Sequence, residues 1–571
     1  MYLTARISFL FLLVTVFACT KVHDHADLMI HGGKIYTMDD RRPVVEAVVV
    51  KGTRILFAGP EEEAREYLTG ETRLIDLRGK VMTPGFIEGH AHIMGVGYHS
   101  LELDLMAVKS YAELVAAVEA AAAKAKPGQW ILGRGWHQDK WNHLPEKMVK
   151  GFQTHHLLSS ASPDNPVFLR HASGHAALAN ARAMEIAGVN QLYAEKSRSE
   201  GGGDGGEIIR DELGNPTGIF NERAMGLITR HIPENTRASD AEALQLALDA
   251  CAEHGITSFH DAGSSRSSIA LFREFKEAGK LTVRLYPMLA GGDNRLLKEW
   301  LGRGPEIDPE HYLTIRSIKL SCDGALGSRG AWLLEPYSDR RDFSGMATTP
   351  MDTVLKVAQE ALKRGFQLCC HAIGDRANRE ILDRYEIAFR DNPSRSEDHR
   401  FRIEHAQHLH PADIPRFGDM GVIPAMQAIH MSSDRPWAID RLGENRIKEG
   451  AYVWQSLLQS GARIVNGTDA PVEPLDPIPS FYASVSRRTL QGEPEGGYEP
   501  GQKMSREQAL RSYTLDAAFG AFQEDVMGSI EAGKYADFTV FSRDIMTVPE
   551  DDILKTEVAM TVVGGTIIFE K

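Results

Sequence analysis

The sequence has no stretch of about 20 consecutive apolar residues, the length a bilayer-spanning helix needs, and no run of Lys or Arg. The first absence excludes a polytopic membrane protein. The second argues against nucleic acid as a partner, because phosphate capture needs a concentrated basic face. Net charge points the same way: 64 Lys+Arg against 78 Asp+Glu leave −14. Cysteine is scarce, five in 571 residues, with no Cys-x-x-Cys pair. That excludes a disulfide scaffold and a thiolate zinc site, so a metal would have to be held by nitrogen and oxygen. Cys369 and Cys370, adjacent in an apolar run, read as packing residues. What is present, 43% hydrophobic and 25% charged residues, excludes a disordered chain. The length suits a large domain with a smaller satellite.

The start of the chain is a separate matter. Arg6 precedes an apolar run of 11 residues, 7–17, which is the size of a signal-peptide core and too short for an anchor helix. It leads into Val16-Phe17-Ala18-Cys19, which resembles the lipobox of bacterial lipoproteins. The expectation is a signal peptide over 1–19 with Cys19 as the acylated first mature residue. Such a protein is exported in a bacterium, faces the periplasm or the cell surface, and touches the membrane through its lipid anchor alone. A plain secretory signal or a miscalled start is the alternative.

Short β-like stretches at both ends (28–36, 47–58, 537–541, 558–563 and 566–569) predict one small β-sandwich built from 26–83 plus 522–571. Between them, strand-length apolar runs recur at 81–87, 256–261, 283–289, 315–321, 366–371, 401–405, 422–428 and 463–467, with helical periodicity between. Eight such units predict an α/β chain folded as a (β/α)8 TIM barrel over 84–521, with an open doubly wound sheet as the alternative. Residues 93–255 are too long for one connection and predict a large insertion roofing the substrate. It would contain a helix near 111–125, strands near 130–136 and 167–170, and a mobile glycine-rich excursion at 201–206. Capping boxes at Ser239-Asp240-Ala241-Glu242 and Ser505-Arg506-Glu507-Gln508 predict helix starts.

Polar, metal-capable residues close several of these strand candidates, where a barrel places its active site. His90 and His92 alternate onto one face, so two neutral imidazoles can converge on one ion; two packed histidines are the bland alternative. Lys319 inside a buried strand must be paired or chemically altered, because desolvating an ammonium is costly. It is either salt-bridged or a neutral amine that adds CO2 to form a metal-bridging carbamate. His371, His405 and Asp469 end later strands; each alone could be a packed histidine or a turn cap. Trp130, Trp136 and Trp141 in the insertion serve the core or an apolar substrate wall. Arg329 suits a substrate carboxylate or a structural ion pair. Asp323, Gln427 and His430 are further candidates for substrate contact, the last two if the seventh strand ends where placed. Glu61-Glu62-Glu63 reads as a solvated helix start.

An ordered series of segments covers nearly the whole chain after residue 26. It runs through TPGFIEGHAH (83–92), GRGWHQDKW (133–141), SPDNPVFLRHASGHAALAN (162–180) and GITSFHDAG (255–263). It continues with KLSCDGALGSRGA (319–331), CHAIGDRAN (370–378), RIEHAQHL (402–409), NGTDAPVEPLDP (466–477) and GSIEAGKYADFTVF (528–541). The series resembles the metal-dependent amidohydrolase superfamily, in its branch of N-substituted formamide deformylase-like, YtcJ-like proteins. The resemblance implies a (β/α)8 barrel with a small β-sandwich and a divalent metal site at the barrel mouth. It assigns His90, His92, Lys319, His371, His405 and Asp469 to that site. Where many relatives read Asp-Gly-His, this chain has Ser173-Gly174-His175, which puts a carboxylate contact there in doubt.

On that reading the cofactor is a divalent metal, zinc first, as one or two ions. His90, His92 and Asp469 hold one; His371 and His405 hold the second, with carbamylated Lys319 between. Asp469 is the general acid/base, and His175 helps polarise the carbonyl. The expected reaction is hydrolysis of a non-peptide amide, an N-substituted formamide or another N-acyl group. A deaminase, a cyclic amidase and a non-catalytic surface binding protein are the alternatives. The partner is a small-molecule amide, and a homo-oligomer stays open.

Overall fold

A computed structural model describes residues 25–189 and 206–571. The signal segment, Cys19 and residues 201–205 of the glycine-rich excursion lie outside the described residues. No helix among the described residues is long and apolar enough to cross a membrane.

The body is a TIM-barrel-like α/β fold. Its eight strands are β1 (Phe86–Ala91), β2 (Ile256–Ser264), β3 (Arg284–Ala290), β4 (Ser317–Ser321), β5 (Gln367–Ala372), β6 (Arg402–His405), β7 (Ile423–Met426) and β8 (Val465–Asn466). They lie side by side in chain order, each parallel to the next. Most strand positions are buried on both faces, which is why they read as near-continuous apolar runs. No ladder joins β8 to β1, and a carboxylate closes that seam instead. Glu88 accepts from the Thr468 amide (2.9 and 3.1 Å), the Thr468 hydroxyl (2.8 Å) and the His90 amide (3.1 Å). Glycine flanks it on both sides. A Cβ on Gly89 would lie 2.4 Å from the Asn466 carbonyl oxygen, and one on Gly467 2.2 Å from Glu88 Oε1.

Two sequence boundaries are corrected. The run 81–87 is not one strand. Val81–Pro84 belongs to a terminal sheet and β1 begins at Phe86. The chain crosses at Gly85, where a Cβ would sit 2.2 Å from Thr257 Oγ1. The helix expected from Ser239 is Arg237–Glu253, capped by the Thr236 side chain accepting from the Ser239 amide; the earlier hydroxyl takes the cap. At Ser505 the reciprocal capping box forms as expected.

Residues from both chain ends form two sheets. One has four strands, ordered Arg54–Gly59, Ala47–Lys51, Leu28–His31, Arg73–Asp76; the other has six, drawn from 34–45, 81–84 and 538–570. Leu28, Ile30, Val48 and Val50 of the first share one apolar cluster with Ile35, Met82, Phe538 and Val562 of the second. This assembly abuts the N-terminal end of the barrel strands. There Arg284, first residue of β3, is ion-paired with Asp537 at 2.7 Å.

Between β1 and β2 the chain builds a separate six-stranded mixed sheet, with a helix at Tyr111–Ala122 packed on it. Its strands Ile131–Trp136 and Val167–His171 pair in parallel, and the segments that follow them hang over the opposite, C-terminal end of the barrel.

Candidate active site

A cavity of about 370 Å3 opens at the C-terminal ends of the strands, lined among others by His92, His175, Lys319, His371, His405 and Asp469. His90 lies just beneath, 1% exposed. Asp469 Oδ1 is 3.6 Å from His90 Nε2 and 3.2 Å from His92 Nε2. These three residues offer ligand atoms all within 4.8 Å of one another. The His371 and His405 rings are 4.5 Å apart, and His405 is 4.8 Å from His90. Lys319 is half-buried on β4 and has no carboxylate partner among the described residues. Its charge reaches His371, His90 and His405, adding to the burial that holds all three imidazoles down.

The barrel interior orients these rings. His90 Nδ1 is hydrogen-bonded to Glu404. Glu404 in turn accepts from Arg402 Nε (2.7 Å) and Nη2 (2.8 Å), and that Nη2 also reaches the Gly89 carbonyl. Burial works to raise the Glu404 carboxyl, but Arg402 and His90 outweigh it and hold it well below the usual range. Burial pushes His90 down to about 4, against the pull of Glu404. The ring is therefore neutral, donates from Nδ1 and keeps a free lone pair at Nε2. His405 is set the same way: its Nδ1 lies 2.7 Å from Gln427 Oε1, while the Gln427 amide nitrogen donates to the Ala425 carbonyl. His405 (φ 75°) and Asp469 (φ 60°) both have left-handed backbone, uncommon for residues with a Cβ. At β6 this turn breaks strand alternation, so Arg402, Glu404 and His405 all serve the interior.

Three buried atoms here, His90 Nε2, His371 Nε2 and Asp469 Oδ1, have no hydrogen-bond partner. Buried polar groups are normally satisfied, and nitrogen and carboxylate donors converging at this spacing suit a divalent cation. Burial works to raise Asp469, yet His92, His405 and His90 hold it well below the usual carboxylate range, so it is an anion.

His175 faces this group from the insertion, its ring 5.4 Å from His371. Its Nδ1 pairs with Glu222 at 3.0 Å. Burial pulls the imidazole down, but Glu222 overcomes it and the pKa ends above 6.5. Ser173, where a carboxylate contact was in doubt, instead shapes the loop: its hydroxyl accepts from the His175 amide at 3.2 Å.

Four substrate-contact candidates do not line the cavity, and each is corrected for a physical reason. Trp136 is fully buried in the insertion core, its Nε1 donating to the Leu169 carbonyl; Trp141 packs in the same core, and Trp130 against a second one. Arg329 is ion-paired with Asp339 at 2.9 Å. Asp323 is fully buried and accepts from the Trp332, Ile373 and Gly374 amides, tying together the loops after β4 and β5. It lies 3.4 Å from His371 Nε2, and burial pushes it up to about 7. Gln427, in the residue before a helix, positions His405. His430, on that helix (Ala428–Leu442), does line the cavity.

Sequence reasoning missed Glu88, Arg402, Glu404 and Glu222, and, of the residues lining the cavity, Arg134, His171 and Trp437. For Arg402 and Glu404 a signal existed, two charges alternating inside a buried strand. For Glu222 and Arg134 none did, because their roles depend on how the insertion docks.

A sequence profile of the amidohydrolase family matches residues 73–569. YtcJ of Bacillus subtilis (strain 168) is 31% identical over 547 residues, covering 95% of this chain and 99% of its own. An N-substituted formamide deformylase of Arthrobacter pascens is 29% identical over 557 residues, covering 95% and 98%. The crystal structure of an uncharacterized metal-dependent hydrolase from Pyrococcus horikoshii superposes with a TM-score of 0.72 at 26% identity, covering 92% of this chain and 99% of that one.

Proposed function

The chain belongs to the amidohydrolase family and is a hydrolase acting on non-peptide carbon–nitrogen bonds; from that premise we propose that it hydrolyses an N-acyl amide, N-substituted formamides included, at the barrel mouth. The observation that carries this reading is the convergence of His90, His92 and Asp469 with buried ligand atoms left unpartnered. His90, His92 and Asp469 would hold one ion. His371 and His405 would hold a second, with Lys319 as a carbamate between them; its lack of an ion-pair partner among the described residues supports that assignment. When bound, such an ion acts as a Lewis acid and makes water a competent nucleophile near neutral pH. Asp469 accepts the attacking water's proton on a carboxylate oxygen and returns it to the departing amine nitrogen. His175, its Nδ1 paired with Glu222, donates a hydrogen bond from its other ring nitrogen to the carbonyl oxygen as charge develops there. Glu404 and Gln427 fix the two rings beneath.

The test is metal analysis together with a panel of N-formyl, N-acetyl and N-benzoyl amines, measuring free amine and carboxylate. Metal-loaded protein that releases neither across the panel would rule the proposal out. Mass spectrometry of Lys319 reports the carbamate. We also read the two terminal sheets as one small β-sandwich domain, supported by their shared apolar cluster, and residues 1–19 as an export signal ending at a lipidated Cys19. Mass spectrometry of the mature N-terminus distinguishes an acylated cysteine from a plain signal cleavage.

A further inference from the structure

The proposed reaction leaves one cavity residue without a task. Arg134, on the insertion strand Ile131–Trp136, lines the same cavity as Lys140 and Lys319. Lys140 is answered by Glu473 at 3.3 Å, and Lys319 stands among the metal-site histidines. Among the described residues Arg134 has no ion-pair partner. Its Nη2 donates to the Ala172 carbonyl at 2.8 Å, and its Nε is buried with no partner at all. The carboxylates whose charge reaches it, Asp469 and Glu102, form no ion pair with it, and Asp469 Oδ1 lies toward His92 and His90 instead. Arg134 is partly buried; a guanidinium in that position without a counter-charge carries a desolvation cost that a bound anion would offset.

The surroundings are shaped to admit one. Gly174 lies against the guanidinium: a Cβ there would be 3.5 Å from Nη2 and 3.6 Å from Nη1, at a φ of +75° that side chains rarely adopt. His171 accepts from the Ser173 amide at Nδ1 (3.1 Å), so its proton sits on Nε2, a second buried donor without a partner. The Ala172 bond ties Arg134 to the loop that carries His175. Arg134 and His175 thus line one cavity, held there by the same loop.

We infer that Arg134 is a specificity-determining residue that binds a carboxylate of the substrate. The enzyme then takes N-acyl amino acids, with the carboxylate a few bonds from the scissile carbon–nitrogen bond, in preference to neutral amides. This rests on the amide-hydrolase reading above. Arg329, the sequence candidate for that task, is neutralised by Asp339, whereas Arg134 matches a carboxylate with the free edges of its fork.

The experiment uses matched pairs on the metal-loaded full chain: N-formyl- and N-acetylphenylalanine, both enantiomers, against the corresponding carboxamides. The acids should exceed the carboxamides in kcat/KM by about 10-fold or more, chiefly through KM. Arg134→Met should bring that ratio toward one, and Arg134→Lys should keep part of it. A wild-type ratio near one, or a ratio unchanged in Arg134→Met, overturns the inference. If no member of either series is hydrolysed, the amide-hydrolase reading fails and binding decides the subsite separately. In calorimetric titrations, 3-phenylpropanoate should then bind wild type more tightly than 3-phenylpropanamide does and lose that advantage in Arg134→Met. Equal binding, or none, overturns it. If thermal melts show that Arg134→Met does not fold, the wild-type pair and Arg134→Lys carry the same decision.

Discussion

The two ends of the barrel treat buried charge in opposite ways. At the N-terminal end, Arg284 gives Nε and Nη2 to Asp537 at 2.7 and 3.1 Å and Nη1 to the Glu310 carbonyl at 2.6 Å. The rings of Tyr312 and Tyr535 cover its guanidinium at 4.6 and 3.9 Å. Every nitrogen of the guanidinium has an acceptor from the chain itself. At the C-terminal end, His90 Nε2, His371 Nε2 and Asp469 Oδ1 have none, and Arg134 lacks a counter-ion. His90, His371 and Asp469 are as buried as Arg284 and Asp537, so burial alone does not separate the two ends. The difference is whether the partner is built in or must arrive from outside. The Arg284–Asp537 pair holds two parts of the fold together; the unpartnered atoms at the barrel mouth converge where a ligand can be held.

The comparison is broken most severely at Asp469. Asp469→Asn keeps the shape but removes the anion and the proton acceptor; hydrolysis should fall by about 10²–10⁴-fold, with reduced metal content by elemental analysis and a thermal melt little changed. At the other end Arg284→Met should do the reverse. It leaves Asp537 buried without its cation, a loss of about 3–5 kcal/mol measurable by chemical denaturation, while metal per folded molecule stays constant. If Arg284→Met lost metal before stability, the division between the two ends would be wrong. Glu404→Gln sits between these cases. It weakens the support of His90 without touching the ligand atoms, and should lower metal affinity by about 10–100-fold in competition with a chelator.

The smallest effect is a pH dependence. His408 is buried with neither ring nitrogen partnered, and burial holds its pKa at about 3, down from 6.5. The folded state thus stays unprotonated where the unfolded chain takes up a proton, and the unfolded state binds more protons as pH falls below 6.5. Its contribution to stability is full above 6.5 and lost progressively toward 3. At pH 5.5 the loss is about 1.4 kcal/mol for this one histidine, and His408→Leu should flatten that part of the profile in denaturation curves.

Legibility from sequence followed locality. The parallel strands were readable because strands buried on both faces are apolar throughout, and 256–261 or 366–371 needed no distant information. The break at Gly85 was not readable, since 81–87 is one apolar run and its division depends on Thr257 and Asp537 closing from elsewhere. Of the candidate site, the residues at strand ends could be found from the barrel rule. Asp323, Arg329, Trp136 and Gln427 could be nominated but not placed, because each is engaged by a partner that sequence proximity does not reveal. Glu222 answers His175 from 47 positions away, and no pattern in either segment announces it.

By itself, then, the sequence determined the alternation of strand and helix, the nitrogen and oxygen character of any metal site, and which positions fall at strand ends, because periodicity and side-chain chemistry are local properties. Only the tertiary structure decided which charges found partners. A carboxylate closes the β8–β1 seam, Arg284 and Arg402 are neutralised and Arg134 is not, because pairing is settled by distance in space, which the order of residues does not record.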